Sequence, residues 1–161
     1  MQVIDLVRYN HIVRRLYFDA MSKLSWMAVV EPRGLSFDSM RDVFLHLTLV
    51  EERWINYTIP GHFSEWVDPD FESFKGMASL KNYLQEVEGK TENYLKTLSS
   101  EKLSCQIAVP WGHNERITIE KALTHMVLED MIHYGELSAA FWQMGLEAPY
   151  FGFWRYKKIE P

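Results

Sequence analysis

The sequence has a single cysteine, no long apolar run and fewer basic than acidic residues. Cys105 alone cannot form an internal disulfide, so nothing in the chain calls for an oxidising compartment. No stretch approaches the roughly 18 consecutive apolar residues of a transmembrane helix. Residues 1–8 break each short apolar run with a charge, which does not resemble a signal peptide. We therefore expect a cytoplasmic protein with no membrane association.

The charge balance argues against nucleic acid as a partner. Lys and Arg together number 17 against 22 for Asp and Glu, which gives a formal net charge of −5. A chain of this sign has no general attraction for a phosphate backbone. With 161 residues, of which 47% are hydrophobic and 24% charged, the composition predicts one folded domain over residues 1–161.

Apolar residues recur at helical spacing in four long stretches. The first runs from Val3 to about Val30 without Gly or Pro. The second, capped by Ser36 or Asp38, ends near Pro60. The third and fourth helices are predicted at about 76–98 and 119–144.

The segments between these helices are short or irregular. Residues 62–74 are rich in Phe, Trp, Asp and Pro and predict a covering loop, while residues 104–109 and 115–118 flank a turn and indicate a β-hairpin. An aromatic tail, 149–156, could wall a pocket, meet a partner or pack under the bundle end, and packing is our first interpretation. The pattern predicts an all-α, up-down four-helix bundle with a short β-hairpin before the last helix.

Several ionisable side chains fall on the apolar faces of two predicted helices. On a helical wheel, His133 lies inside the apolar stripe of the last helix, with Asp130 near its centre and Glu129 at its edge. His46 lies at the edge of the corresponding stripe of the second helix. Because polar groups are costly to bury without partners, this convergence predicts either hydrogen bonds or a bound cation.

The spacing suits a metal site, although it also allows a simpler interpretation. Glu129 and His133 lie one turn apart and could be two ligands of one ion, with His46 as the third. His125 faces outward, eight residues before His133, so we do not expect it to bind the same ion. In the alternative, which spacing alone favours, both imidazoles are hydrogen-bonded core residues and Glu129 pairs with an arginine such as Arg53.

A catalytic triad is not indicated, and no catalytic residue is assigned. Cys105 lies in a predicted strand without an obvious base nearby in the sequence, and the serines cluster at helix ends, where they act as caps.

Several segments carry a family resemblance through their order and spacing. They are residues 8–10 and 15–16, 45–47, 98–103, 111–112 and the run 123–137. The last of these looks like a segment that ends in His-Arg-Gly-Gln. Together they resemble the DinB-like or YfiT-like superfamily of metal-binding four-helix bundles. Tyr134 and Glu136 stand where that family has Arg and Gln, so roles tied to those two residues do not transfer.

The resemblance implies a divalent metal held by one His of the second helix and two of the fourth. It assigns the first role to His46 and the last to His133, and Glu129 occupies the middle position. A set of two imidazoles and a carboxylate suits zinc, nickel, iron or manganese. Asp130 is an alternative carboxylate ligand, or a partner that orients an imidazole.

The resemblance also implies two classes of function. An ion with three protein ligands keeps a position open for water or substrate, and relatives include transferases that activate low-molecular-weight thiols and proposed hydrolases. We therefore expect a metal-dependent enzyme that transfers such a thiol or hydrolyses a small-molecule substrate. The alternative is a non-catalytic homodimeric binding or stress-response module with a structural or vestigial ion.

The apolar residues exceed what one small bundle can cover. Ile132 and Trp142 lie outside the inward arc of the last helix, and the tail adds Phe151, Phe153 and Trp154. We therefore expect a homodimer with a two-fold interface, as is common among related bundles.

Overall fold

The computed structural model describes residues 3–157. Two strands, β1 (Gln106–Ala108) and β2 (Arg116–Thr118), pair antiparallel immediately before the last helix. The long helices and this hairpin confirm the predicted fold class. The helices are α1 (Val3–Met21), α2 (Trp26–Val30), α3 (Met40–Glu52), α4 (Met77–Leu95), α5 (Ser100–Ser104) and α6 (Ile119–Gln143).

The four long helices enclose the apolar core. Helix α1 packs against α6 and α4, and α3 packs against the same two helices, so α1 and α3 face each other across the core. Burial of each large apolar side chain contributes about 1.5 to 3 kcal/mol. Fully buried examples are Val7, Phe44, Leu47, Leu123, Met126 and Leu137. No helix within residues 3–157 has the length and apolar character needed to cross a membrane.

The first predicted helix is in fact two helices. Helix α1 ends at Met21, and the Ser22 hydroxyl donates to the carbonyl oxygen of Asp19 at 2.7 Å. Such a local bond competes with continued helix. Ser25 then starts α2, its Oγ accepting from the backbone N–H of Ala28. Met27, which continues the helical spacing in the sequence, is 75% exposed.

The second helix is capped one residue after Asp38 and three after Ser36, the two predicted caps. Ser39 is the cap, with its Oγ accepting from the Asp42 N–H, so neither Ser36 nor Asp38 has that role. Asp38 instead adopts a φ of 62° in a tight turn, a conformation that Asp tolerates better than most residues. Beyond Glu52 the helix continues as a wider π-helical turn, Arg53–Thr58, a feature that is frequent at functional sites.

A buried polar network joins all four long helices. Arg14 of α1 donates to Glu51 of α3 at 2.7 Å and to Asp130 of α6 at 2.5 Å. Thr91 of α4 donates to the second oxygen of Glu51 at 2.5 Å. These side chains are fully buried, and buried charges are tolerated when they are paired in this way.

The aromatic tail folds back on α1. The hydroxyl of Tyr9 donates to the carbonyl oxygen of Phe151 at 2.5 Å, and the Tyr9 ring meets Phe153 edge to face, with centroids 4.9 Å apart. This confirms packing as the first interpretation of the tail. Trp154 nevertheless remains 76% exposed.

Candidate metal centre

The structure brings together three side chains from two helices. His46 of α3 meets Glu129 and His133 of α6, and one ligand atom from each lies within 4.8 Å of the other two. The His46 Nε2 to Glu129 Oε1 distance is 3.6 Å. Ligand atoms that are each about 2.0 to 2.2 Å from one tetrahedral ion lie roughly 3 to 4 Å apart. The group could therefore bind a divalent metal after small side-chain movements.

A hydrogen bond orients the imidazole of His133. Its Nδ1 lies 2.6 Å from Oε2 of Glu136, so the proton belongs on Nδ1 and the Nε2 lone pair is available to a cation. Ser36 holds Glu136 in turn, through its backbone N–H at 3.0 Å and its hydroxyl at 2.8 Å. Burial alone would raise the pKa of Glu136, but these hydrogen bonds outweigh it and lower the pKa.

Phe37 covers both imidazoles. It stacks on the His46 ring at a centroid distance of 4.0 Å, and it meets the His133 ring at 5.7 Å, edge to face. The side chains of His46 and His133 are 14% and 13% exposed. Partial removal from water strengthens electrostatic interactions within the group.

Glu129 lies between two imidazoles. Its Oε1 faces His46, and its Oε2 lies 3.5 Å from Nε2 of His125. Interaction with His46 lowers the pKa of the Glu129 carboxyl despite its burial, with further contributions from His125 and Arg53. The carboxyl is therefore ionised at neutral pH, as a metal ligand must be. Within residues 3–157 Glu129 forms no close ion pair with Arg53, whose charge acts on it only at longer range.

The two other candidates on α6 lie outside the group. The His125 side chain faces outward, 57% exposed, and its ring contacts Trp54. Asp130 is fully buried and accepts from Arg14 and from Asn10, each at 2.5 Å. It therefore neither joins the metal group nor orients an imidazole, and its suggested role there is wrong. Burial raises its pKa even though Arg14 lies beside it.

An open cavity of about 430 Å³ adjoins His46. Its volume is typical of small-molecule sites. The loop predicted at 62–74 forms one wall, which confirms its covering position. Besides His46, the lining residues are Phe37, Leu49, Arg53, Asp68, Pro69 and Phe71.

A larger cavity, of about 520 Å³, lies between α1 and α4. The charged groups at its rim already pair with one another, because Arg15 meets Glu88 and Arg8 meets Glu92, both at 2.7 Å. No candidate metal group of the described residues lies there. The cavity beside His46 is therefore the better site for chemistry.

Sequence reasoning missed two supporting residues. Glu136 was set aside because it departs from the family pattern, although its spacing of three residues from His133 would have indicated a contact on one helix face. Phe37 lies in the segment before α3, and nothing in its spacing ties it to His46 or His133.

The sequence of this chain matches one known protein family. No curated protein matches the sequence. The model of the DinB family matches residues 1–161, a range that includes His46, Glu129 and His133. Since this match extends over the whole chain, the protein belongs to the DinB family.

Proposed function

We propose that the chain is an enzyme that depends on a divalent metal held by His46, Glu129 and His133. One observation carries the proposal: His46 belongs to the ligand group and also lines the open cavity. Structural ions are normally enclosed by four protein ligands, whereas catalytic ions keep a position open to substrate. A group of three ligands beside a cavity matches the catalytic arrangement.

The residues of the chain prepare the site for a reaction with a small molecule. When bound, the ion supplies a Lewis acid that lowers the pKa of a thiol or a water in its open position. Glu136 keeps Nε2 of His133 free for the ion, and Phe37 shields both imidazoles from water. The resemblance to thiol-activating relatives favours transfer of a low-molecular-weight thiol, with hydrolysis as the second reaction.

The ligand set is compatible with four metals, of which we rank zinc first. Two imidazoles and one carboxylate occur in catalytic zinc sites and in non-haem iron(II) sites, and the same donors also accept nickel and manganese. We propose zinc first, because it binds well at four-coordinate sites with a single open position.

Elemental analysis of protein prepared without a metal-affinity tag tests the metal, and a conjugation assay tests the reaction. Cysteine and monochlorobimane serve as probes: the thiolate sulfur displaces chloride, and the thiol proton goes to solvent. We expect stoichiometric metal and a conjugation rate that falls to background after chelation and in His133→Ala. Hydrolysis of p-nitrophenyl acetate is measured in parallel.

Two outcomes would contradict this function. Absence of metal in the untagged protein would contradict the proposed metal site. Stoichiometric metal without a chelator-sensitive rate in either assay would favour the alternative, a non-catalytic module with a structural ion.

We further propose that the protein is a homodimer. An apolar stripe runs along the outer face of α6, and its large members Leu128, Ile132 and Trp142 are 61%, 69% and 65% exposed. Gly135 and Ala139 lie between them on the same face. A stripe with small residues at its centre can pack closely against its own copy across a two-fold axis.

A further inference from the structure

Arg53 is a partly buried cation with no carboxylate at ion-pair distance within residues 3–157, although its charge acts on the more distant Glu129. Within residues 3–157 its guanidinium makes no hydrogen bond or ion pair, and its Nε is buried without a partner. It lies over the ring of Trp111, 5.3 Å from the centroid. Arg116 donates instead to a backbone oxygen and Arg155 lies over a tryptophan, whereas five arginines in the same range pair with carboxylates, namely Arg8, Arg14, Arg15, Arg33 and Arg41. Since a partly desolvated charge is stabilised by a close counter-charge, the Arg53 guanidinium is suited to bind an anionic ligand.

Arg53 shares a cavity with the metal group. It follows His46 by seven residues, so the two lie two turns apart on one face of the helix, about 10 Å along its axis. Both line the cavity of about 430 Å³. A small molecule in this cavity can therefore contact both Arg53 and His46.

The walls define the rest of the ligand. Phe37, Leu49 and Phe71 supply the apolar part of the cavity lining. Asp68 also lines the cavity, so a dianion such as a phosphate would meet repulsion there. Among the described residues that line the cavity, Arg53 is the only lysine or arginine. A single guanidinium matches one carboxylate, which it can bind through two parallel hydrogen bonds.

We propose that Arg53 binds the carboxylate of an organic acid whose apolar body lies along Phe37, Leu49 and Phe71. Arg53 is thus a specificity residue. The anion site itself does not depend on a metal. The further statement that the reacting group of this acid lies toward His46 rests on the proposed function.

Isothermal titration calorimetry with two matched probes tests the anion site. The probes are 3-phenylpropionate and its uncharged amide, 3-phenylpropanamide, and each is titrated into untagged and into chelator-treated protein. In chelator-treated protein the probe carboxylate cannot bind a metal. Tighter binding of the acid than of the amide must then come from side chains of the protein. We expect the acid to bind at least about tenfold more tightly than the amide in both forms.

Two arginine variants test whether Arg53 is responsible for the tighter binding of the acid. Arg53→Gln should weaken the acid about tenfold and leave the amide unchanged, and removal of this side chain leaves no hydrogen-bond partner unsatisfied. Arg155→Gln is the matched control, because Arg155 also lies over a tryptophan, at 4.7 Å from the Trp154 ring, but does not line the cavity. It should bind both probes as the wild type does.

The proposal is overturned by equal binding of acid and amide, by no binding of the acid at millimolar concentration, or by unchanged binding in Arg53→Gln. Tighter, Arg53-dependent binding of phenylphosphonate would overturn the choice of a carboxylate. Metal content of the same samples separates the two hypotheses. Arg53-dependent binding in a protein that carries no metal would support the anion site while contradicting the proposed function. Stoichiometric metal without Arg53-dependent binding would contradict the anion site alone.

Discussion

The Nδ1 atom of His133 lies 2.6 Å from Oε2 of Glu136, one turn further along α6. The backbone N–H and the hydroxyl of Ser36 bind the same carboxylate. The segment between α2 and α3 thus fixes an imidazole that belongs to α6. In metal sites, such carboxylate partners set the tautomer of the ligand and increase its basicity.

Substitution of Glu136 should weaken metal binding. Glu136→Ala removes the acceptor for Nδ1 and should lower metal affinity about 10- to 100-fold, whereas Glu136→Gln keeps an acceptor and should lower it less. Competition with a chromophoric chelator measures both affinities. Glu120→Gln, an exposed change on the same helix, should have no effect, and wild-type affinity in Glu136→Ala would show that the contact does not support the metal.

The two histidines of α6, His125 and His133, should differ in their effect on metal content. His133→Ala leaves only two protein ligands, so most bound metal should be lost. His125→Ala should retain stoichiometric metal, because this side chain faces outward and reaches the metal group only through Oε2 of Glu129, the oxygen that does not face His46. Elemental analysis of the two variants measures the difference. Loss of metal from His125→Ala would mean that a fourth protein ligand had been overlooked.

The candidate site could be predicted largely from helical periodicity. A period of 3.6 residues places Glu129 and His133 on one face of a helix, and it turns His46 toward the same interior. These relationships are local within each helix, so a single sequence contains them. The structure confirms that the three side chains converge.

Relationships between distant segments could not be predicted in the same way. Asp130 has the inward angle of a metal ligand, but Arg14, more than a hundred residues earlier, binds it instead. Likewise, the spacing of α1 gives no sign of the break after Met21, which depends on hydrogen bonds of Ser22 and Ser25. Angle alone therefore identifies an inward side chain without identifying its partner.

The buried carboxylate of Glu51 should make stability depend on acidity. Burial alone would raise its pKa, but the charges of His11 and Arg14 outweigh burial and hold the pKa well below its usual range. Its stabilising contribution is therefore present above the unfolded pKa of about 4.3 and is lost as the pH falls below that value. The free energy of unfolding in urea should decrease accordingly.

The Glu51→Gln variant isolates this contribution. At pH 7 it should be less stable than the wild type by about 3 kcal/mol, and the difference should shrink as the pH falls below about 4.3. Burial and, to a smaller extent, the charge of Glu51 raise the pKa of Asp130, which therefore acts in the opposite direction, and Glu51→Gln removes the contribution of Glu51. A constant difference between pH 7 and pH 3 would show that Glu51 does not titrate in this way.

The exposed stripe of α6 predicts self-association that a single charge should abolish. Ile132 lies within the stripe beside Gly135, 69% exposed, and Ile132→Glu would place two buried like charges in the interface, at a cost of several kcal/mol. Sedimentation equilibrium at micromolar concentration should give twice the chain mass of 19.1 kDa for the wild type and the monomer mass for Ile132→Glu. Val67→Glu, at an apolar position that is 80% exposed in the loop after α3, should remain dimeric. A wild-type mass near that of one chain, unchanged at higher concentration, would reject the homodimer.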